Sequence, residues 1–222
     1  MRVAAQVLTR SGKSYLGPSA EVMERCYDKY EAYRVASAAG VDCPATVLGS
    51  DAGTLSFPVV LKPRRGSDSL GVRILKHGPI PRRARTDGYI IQEFVRGAEL
   101  TVAVYGERVG MPLCICLPEG TPYTFVRKYL RRPPRVPLPN TRIAERVQHT
   151  ALQIAAIFGV DWVARIDLIH ETATDRLRFL ECDVAPLIGA RSAVAASFKL
   201  AGIGRSEQLQ QLLVQAAGDG QV

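Results

Sequence analysis

Two short apolar stretches late in the chain, ARIDLI (164–169) and FLECDVAP (179–186), carry charged residues two positions apart. A β-strand turns residues i and i+2 to one face, so Arg165 points with Asp167 and Glu181 with Asp183. If the strands pair, three carboxylates and one guanidinium meet inside otherwise apolar strands. Like charges held close and away from water are costly unless something cationic joins them. Hard cations such as Mg2+ favour carboxylate oxygen and are often held partly through substrate phosphates. A buried salt bridge or a pair of exposed polar edges would account for the same residues. Cys182, between the two acids, faces away from them, which suits core packing.

The rest of the chain predicts a mixed architecture. Residues 19–39 have helical composition, with Ser19 as N-cap and Gly40 where a left-handed residue ends a helix. Pro44 leads into a short extended piece. Strands are predicted at 57–63, 70–75, 89–95, 99–105 and 111–117 from β-branched and aromatic content between turns. Residues 118–140 contain Pro118 and five further prolines, and read as a long loop, a length often associated with functional lids. Apolar spacing predicts a helix over 141–158 stopped by Gly159. Strands at 162–169 and 177–183, joined by a turn at Thr174-Asp175, precede a last helix at 206–217. Helices and strands do not alternate strictly, which gives the α+β class.

Composition narrows the function. A chain of 222 residues fits one or two domains, and 47% hydrophobic content excludes a mainly disordered one. No apolar run approaches the length of a membrane helix and no secretory leader is evident, so no membrane association is expected. Five scattered cysteines without a CxxC pair argue for reduced thiols in a cytoplasmic setting, against disulfides or zinc. The net charge of +8 arises from 29 Lys and Arg against 21 Asp and Glu. Only six of the bases are Lys, and the charge is spread from Arg2 to Arg205. Nucleic-acid binders usually concentrate it on one element, so nucleic acid is disfavoured and an anionic small molecule is favoured.

Two further features bear on such a ligand. Lys62 ends a strand and is followed by Gly66-Ser67-Asp68-Ser69-Leu70-Gly71, a turn whose backbone amides can approach a phosphate closely. No GK[ST] follows, so it is not a Walker loop; a plain hairpin would look similar. The basic stretch RKYLRRPPR (127–135) sits in the Pro-rich segment, where a solvated tether is the simpler reading.

In order along the chain, LGPSAEVMERCYDK (16–29), FPVVLKPRRGSDSLGV (57–72), YIIQEFVRGAELTVAV (89–104), RKYL (127–130), ARIDLI (164–169) and FLECDVAPLIGARSAV (179–194) resemble the D-alanine–D-alanine ligase branch of the ATP-grasp superfamily. The resemblance covers roughly residues 3–217 and implies two α+β lobes gripping a nucleotide. Residues 1–18 would be the remnant of an N-terminal substrate domain, 19–96 a small lobe with the Gly-rich loop, and 97–222 a large lobe with a basic lid and a metal site.

The resemblance also implies roles. Lys29 and Lys62 would contact ATP phosphates, with Gly66, Ser67, Ser69 and Gly71 in the loop that closes over them. Gln92, Glu93, Phe94 and Val95 lie in the adenine strip, and Glu99 would reach the ribose. Asp167, Glu181 and Asp183 occupy the positions that hold two Mg2+ ions, with Mn2+ able to substitute. Arg165 would steady the transferred phosphate and the tetrahedral intermediate. Lys128 and Tyr129 match a pair on the mobile loop, and Ser192 falls where the second amino acid's carboxylate binds. The implied activity is an ADP-forming carboxylate–amine ligase acting through an acyl phosphate on amino-acid or peptide-like substrates.

Four departures point to a substrate other than D-alanine. Most of the N-terminal domain is missing, residues 3–16 resembling its last helix, so a homodimer or a separate chain is expected to complete the site. Asp183 replaces an Asn, Leu187-Ile188 stands where the family has Gly-Met, and Arg191 lies beside Ser192. The alternative is a degenerate ATP-grasp nucleotide-binding module or subunit.

Overall fold

A computed structural model describes residues 2–12, 15–67, 70–116, 134–138 and 141–218. Helix and strand are mixed, as the sequence indicates. Six helices are described: α1 (Arg2–Arg10), α2 (Ala20–Tyr27), α3 (Lys29–Ala38), α4 (Arg142–Phe158), α5 (Ala193–Leu200) and α6 (Arg205–Gly218). The strands form two antiparallel sheets. The smaller has the order β1-β4-β2-β3, from Thr46–Leu48, Tyr89–Glu93, Val59–Pro63 and Arg73–Leu75. The larger runs β10-β9-β5-β7-β8, from Arg176–Asp183, Ala164–Glu171, Gly97–Tyr105, Leu113–Ile115 and Arg135–Pro137, with the two-residue β6 (Arg108–Val109) on β5.

Alternation along the large sheet separates a core face from a polar one. Leu100, Val102, Ile166, Leu168, Phe179 and Cys182 are buried beneath α2, α3 and α4. Cys182 thus packs in the core, away from Glu181 and Asp183. The opposite face runs in rows across β5, β9 and β10: Glu99, Ile169 and Arg178; then Thr101, Asp167 and Glu181; then Ala103, Arg165 and Asp183. A bulge at Leu180 makes these rows possible. Strict alternation from Leu177 and Phe179 would send Glu181 and Asp183 into the core. One extra residue reverses the phase and returns them to the polar face.

Helix α5 covers one end of that face, where the Ser197 hydroxyl accepts from the Ala103 amide at 3.1 Å and Val194 and Phe198 pack with Ala103. In the small sheet, Val59, Leu61 and Ile91 form a core with Ile80 and Ala84. Val60, Lys62, Ile90 and Gln92 occupy the other face by alternation.

Several expectations are corrected. The helix over 19–39 is two helices, because Asp28 (φ −87°, ψ 104°) leaves helical geometry and caps α3 through bonds from the Tyr30 and Glu31 amides. The helix near the N-terminus stops at Arg10 instead of reaching residue 16. The long loop at 118–140 contains β8; Pro137 is tolerated there because β8 is an outer strand. Helix α5, capped by Ser192, carried no expectation from the sequence. Ser19, Thr141 and left-handed Gly159 do bound α2 and α4 as helix termini require.

Candidate active site

The two sheets bring their polar faces toward each other. Lys62 on β2 feels the charges of Glu181 on β10, Glu99 on β5 and Asp167 on β9, and also that of Lys29. Residues from five elements, spread along the sequence, therefore share one cleft.

Lys29 arrives there because of the break at Asp28. The Asp28 carboxylate, only 3% exposed, accepts from Arg64 Nε at 2.8 Å and pairs with Arg65 Nη2 at 2.8 Å. The Lys29 amide donates to the Arg64 carbonyl at 3.0 Å. These contacts seat the first turn of α3 against the end of β2, and Lys29 Nζ donates to the Gly66 carbonyl at 2.5 Å. The Gly-rich turn and Lys29 are thus joined. Gly71, at φ +77°, adopts a left-handed backbone, and a Cβ there would lie 2.9 Å from Pro63 Cγ, so the turn needs glycine. Ser67 lies in the same turn; Ser69 is outside the described residues.

Lys62 is held by a polar chain that fixes its neighbours' orientation. Its Nζ donates to Gln92 Oε1 at 2.6 Å, Gln92 Nε2 donates to Thr46 Oγ1 at 2.9 Å, and Thr46 Oγ1 donates to the Pro44 carbonyl at 2.9 Å. The Thr46 proton is committed to Pro44, so Thr46 must accept from the Gln92 amide, and Gln92 Oε1 faces Lys62. Burial lowers the Lys62 pKa, and Lys29 lowers it further, opposed by Glu181, Glu99 and Asp167. The remaining strip runs past the cleft edge. Glu93 accepts from the Ala45 amide and from Arg178, Val95 is buried, and the Phe94 amide donates to the Pro58 carbonyl at 3.2 Å.

Arg165 sits between two of the acids. Its Nε and Nη2 donate to Asp167 at 2.9 and 2.8 Å, and Nη1 lies 3.1 Å from Asp183 Oδ2. Burial opposes its charge, but Asp167 and Asp183 outweigh burial and raise its pKa, so it is a permanent cation. Asp167 also accepts from Thr101 Oγ1 at 2.7 Å. Asp183 accepts from the Ala185 amide at 3.1 Å, and burial raises its pKa against the pull of Arg165. Burial likewise pushes Glu99 up to about 7, aided by Asp167 and opposed by Lys62. Four carboxylates thus face three bases in a partly dry cleft. Hard oxygen donors, a surplus of buried negative charge and raised acids fit a divalent cation. Among the described residues no three acidic, Cys or His side chains form a preset cage; Asp167 and Asp183 are turned to Arg165 instead.

Ser192 is not brought to this cluster by any hydrogen bond described; its hydroxyl accepts from the Ala195 amide as the N-cap of α5. Lys128 and Tyr129 lie outside the described residues. The sequence missed Thr101, although its place two residues after Glu99 on a strand would have put it on the same face. It also missed the packing of Asp28 and the polar anchor at Thr46, which depend on partners remote in sequence.

A family model described as D-ala D-ala ligase C-terminus matches residues 30–214. The chain belongs to this family. The ligase-family core it contains has the ATP-grasp fold. The chain is 29% identical to a D-alanine–D-alanine ligase of Thermotoga petrophila, over 97% of this chain and 75% of that one. It is 31% identical to one of Brucella anthropi, over 86% of this chain and 68% of the relative. Its fold is similar to that of the VanG D-Ala:D-Ser ligase from Enterococcus faecalis, with a TM-score of 0.80 at 21% identity, covering 96% of this chain and 68% of that one. It is also similar to a D-alanine–D-alanine ligase from Bacillus anthracis complexed with ATP, with a TM-score of 0.78 at 19% identity, covering 97% and 74%.

Proposed function

We propose that the chain is a Mg2+- and ATP-dependent carboxylate–amine ligase whose amino-acid substrate differs from D-alanine. The observation that carries this reading is the position of Lys62, which faces Glu181, Glu99 and Asp167 across the cleft while Arg165 sits between Asp167 and Asp183. Residues 19–96 and 97–222 act as the two lobes, and 1–18 belong to a further substrate domain.

The residues divide the work. Lys29, Lys62 and the Gly66–Gly71 turn, with Ser67 and Ser69, bind the phosphates of ATP. Gln92 orients Lys62, and the backbone of Glu93, Phe94 and Val95 meets the base edge. The Phe94 amide is already bonded to Pro58, so the donor to the base comes from a neighbour. Glu99 takes the ribose. Asp167, Glu181 and Asp183 hold Mg2+ or Mn2+, two ions in the full site, which when bound neutralise phosphate charge. Asp167 and Asp183 would offer a bound metal the oxygen lone pairs that Arg165 does not use, and Arg165, held between them, would meet the transferred phosphate. Phosphorylating a carboxylate turns a poor electrophile into one with a good leaving group, and positioning with charge offset is what such transfer needs. An amine then attacks the acyl phosphate, giving an amide and phosphate. Lys128 and Tyr129, outside the described residues, are assigned the role of keeping water from the intermediate.

Leu187 is 63% exposed, and Arg191 stands exposed beside Ser192, a combination that suits an acidic or larger acceptor. Five free thiols support a cytoplasmic setting, and among the described residues no helix is long and apolar enough to cross a membrane. The second reading is a nucleotide-binding subunit without turnover, favoured by the grip of Arg165 on two of the metal-ligand acids. ADP release measured over an amino-acid and dipeptide panel, with product masses, decides between them. One pair giving ADP and the mass of an amide supports the ligase; ATP binding with no release for any pair supports the subunit.

A further inference from the structure

Arg178 has no part in the reaction proposed above, yet among the described residues it is a buried charge with partners on four other residues. It stands on the polar face of β10, one row along from Asp167 and Glu181, and is 5% exposed. Its Nη1 donates to Glu171 on β9 at 3.1 Å. Its Nη2 donates to the Cys43 carbonyl at 2.8 Å and to Glu93, the last residue of β4, at 3.0 Å. Nε makes no hydrogen bond but lies 3.4 Å from Asp42 Oδ1.

These partners have a topological meaning. The small sheet occupies residues 46–93, and helices α2 and α3 pack on the large sheet. The chain therefore enters the small sheet through 42–45 and leaves it through 94–96. Arg178 holds both crossings to the large sheet at once. Each is tied a second time: the Phe179 amide donates to the Asp42 carbonyl at 2.8 Å, and the Thr172 amide donates to the Arg96 carbonyl at 3.4 Å. Five donors in a rigid plane can bind a carbonyl and several carboxylates together, which an ammonium on a flexible stem cannot.

We infer that Arg178 is the pin of the hinge between the two sheets: a positioning residue that fixes how Lys62 meets Asp167 and Glu181, and how the strip 93–95 is presented to the nucleotide. The second part of this role rests on the ligase reading of the cleft; the pin itself does not. Removing the guanidinium leaves Glu171 and Glu93 without their buried cation and loosens both crossings together, each then still held by its backbone bond, while the core beneath the sheet keeps its apolar packing. Arg178→Lys retains charge but not the plane, and restores the hinge only in part.

The test uses the full chain, first without nucleotide. Backbone hydrogen exchange is compared in wild type, Arg178→Met, Arg178→Lys and Glu93→Gln, together with affinity for a fluorescent ATP analogue in Mg2+. The expected result is exchange about tenfold faster at both 42–46 and 93–97 in Arg178→Met and Glu93→Gln, with strands 164–168 and α4 within about twofold of wild type. Analogue affinity should fall by roughly fivefold or more, with Arg178→Lys intermediate. Should Arg178→Met not fold, Glu93→Gln, whose side chain is 41% exposed, carries the same readout. Unchanged exchange at the two crossings overturns the pin. So does faster exchange throughout the chain with unchanged affinity, which a merely structural role would give. A wild type that binds no analogue sinks the nucleotide reading, and the crossing amides then decide the pin alone.

Discussion

Glu99 illustrates how the cleft is tuned residue by residue. Burial and the nearby Asp167 hold its carboxyl at about 7, well above the ordinary 4.5, in spite of Lys62. An acid with a raised folded pKa binds its proton more tightly folded than unfolded. The associated stability is complete below about 4.5 and is lost as pH rises through 7. Glu99→Gln cannot ionise, so without nucleotide or metal it should be more stable than wild type at pH 8, by about 2 kcal/mol once partial solvent exposure is allowed for. The two should converge near pH 4. Urea melts at the two pH values check this; a gap that widens toward acid pH would contradict the burial of Glu99. Gly97 gives a second test. A Cβ there would lie 2.1 Å from the His170 carbonyl oxygen, so β5 and β9 approach this closely at the Gly97 end only because the residue is glycine. Gly97→Ala should cost roughly 1–3 kcal/mol in the same melts, since the backbone must shift to admit it.

Among the elements, the broken helix and the bulged strand matter most. Asp28 ends α2, caps α3 and gathers Arg64 and Arg65, and by doing so delivers Lys29 to the Gly-rich turn. Asp28→Ala leaves two arginines without their buried partner and removes a cap. A loss of about 3–5 kcal/mol is expected, together with weaker nucleotide binding through Lys29. Asp28→Asn retains the cap and should recover part of the stability. These elements also show what the sequence could reveal. Alternation was enough to pair Arg165 with Asp167 and Glu181 with Asp183, and cap residues were enough to bound α2 and α4. The break at Asp28 was hidden because its causes, Arg64 and Arg65, lie 36 and more residues away. The bulge at Leu180 was hidden because an extra residue leaves no mark in the apolar pattern; it is visible only against the register of β9. Arg178 could be seen as a base inside an apolar strand, but apart from Glu171 its partners come from two distant segments, around Cys43 and at Glu93.

At the scale of the whole molecule, two sheets of separate cores present polar faces to one cleft, and family membership explains why. α5 closes one end of the large sheet's face and the Arg178 cluster the other, leaving the row of Thr101, Asp167 and Glu181 opposite Lys62. In the proposed reading that arrangement would make the two sides of the cleft interdependent, with the base on the small sheet gripping phosphate and the acids on the large sheet holding its metal. Calorimetric titration of ATP with and without Mg2+, in wild type, Lys62→Ala and Glu181→Gln, tests this most directly. Tight binding that depends on Mg2+ in wild type, weakened about tenfold or more in Lys62→Ala and stripped of its Mg2+ dependence in Glu181→Gln, is the expected result. Equal Mg2+-dependent affinity in all three proteins would contradict a nucleotide held between the sheets.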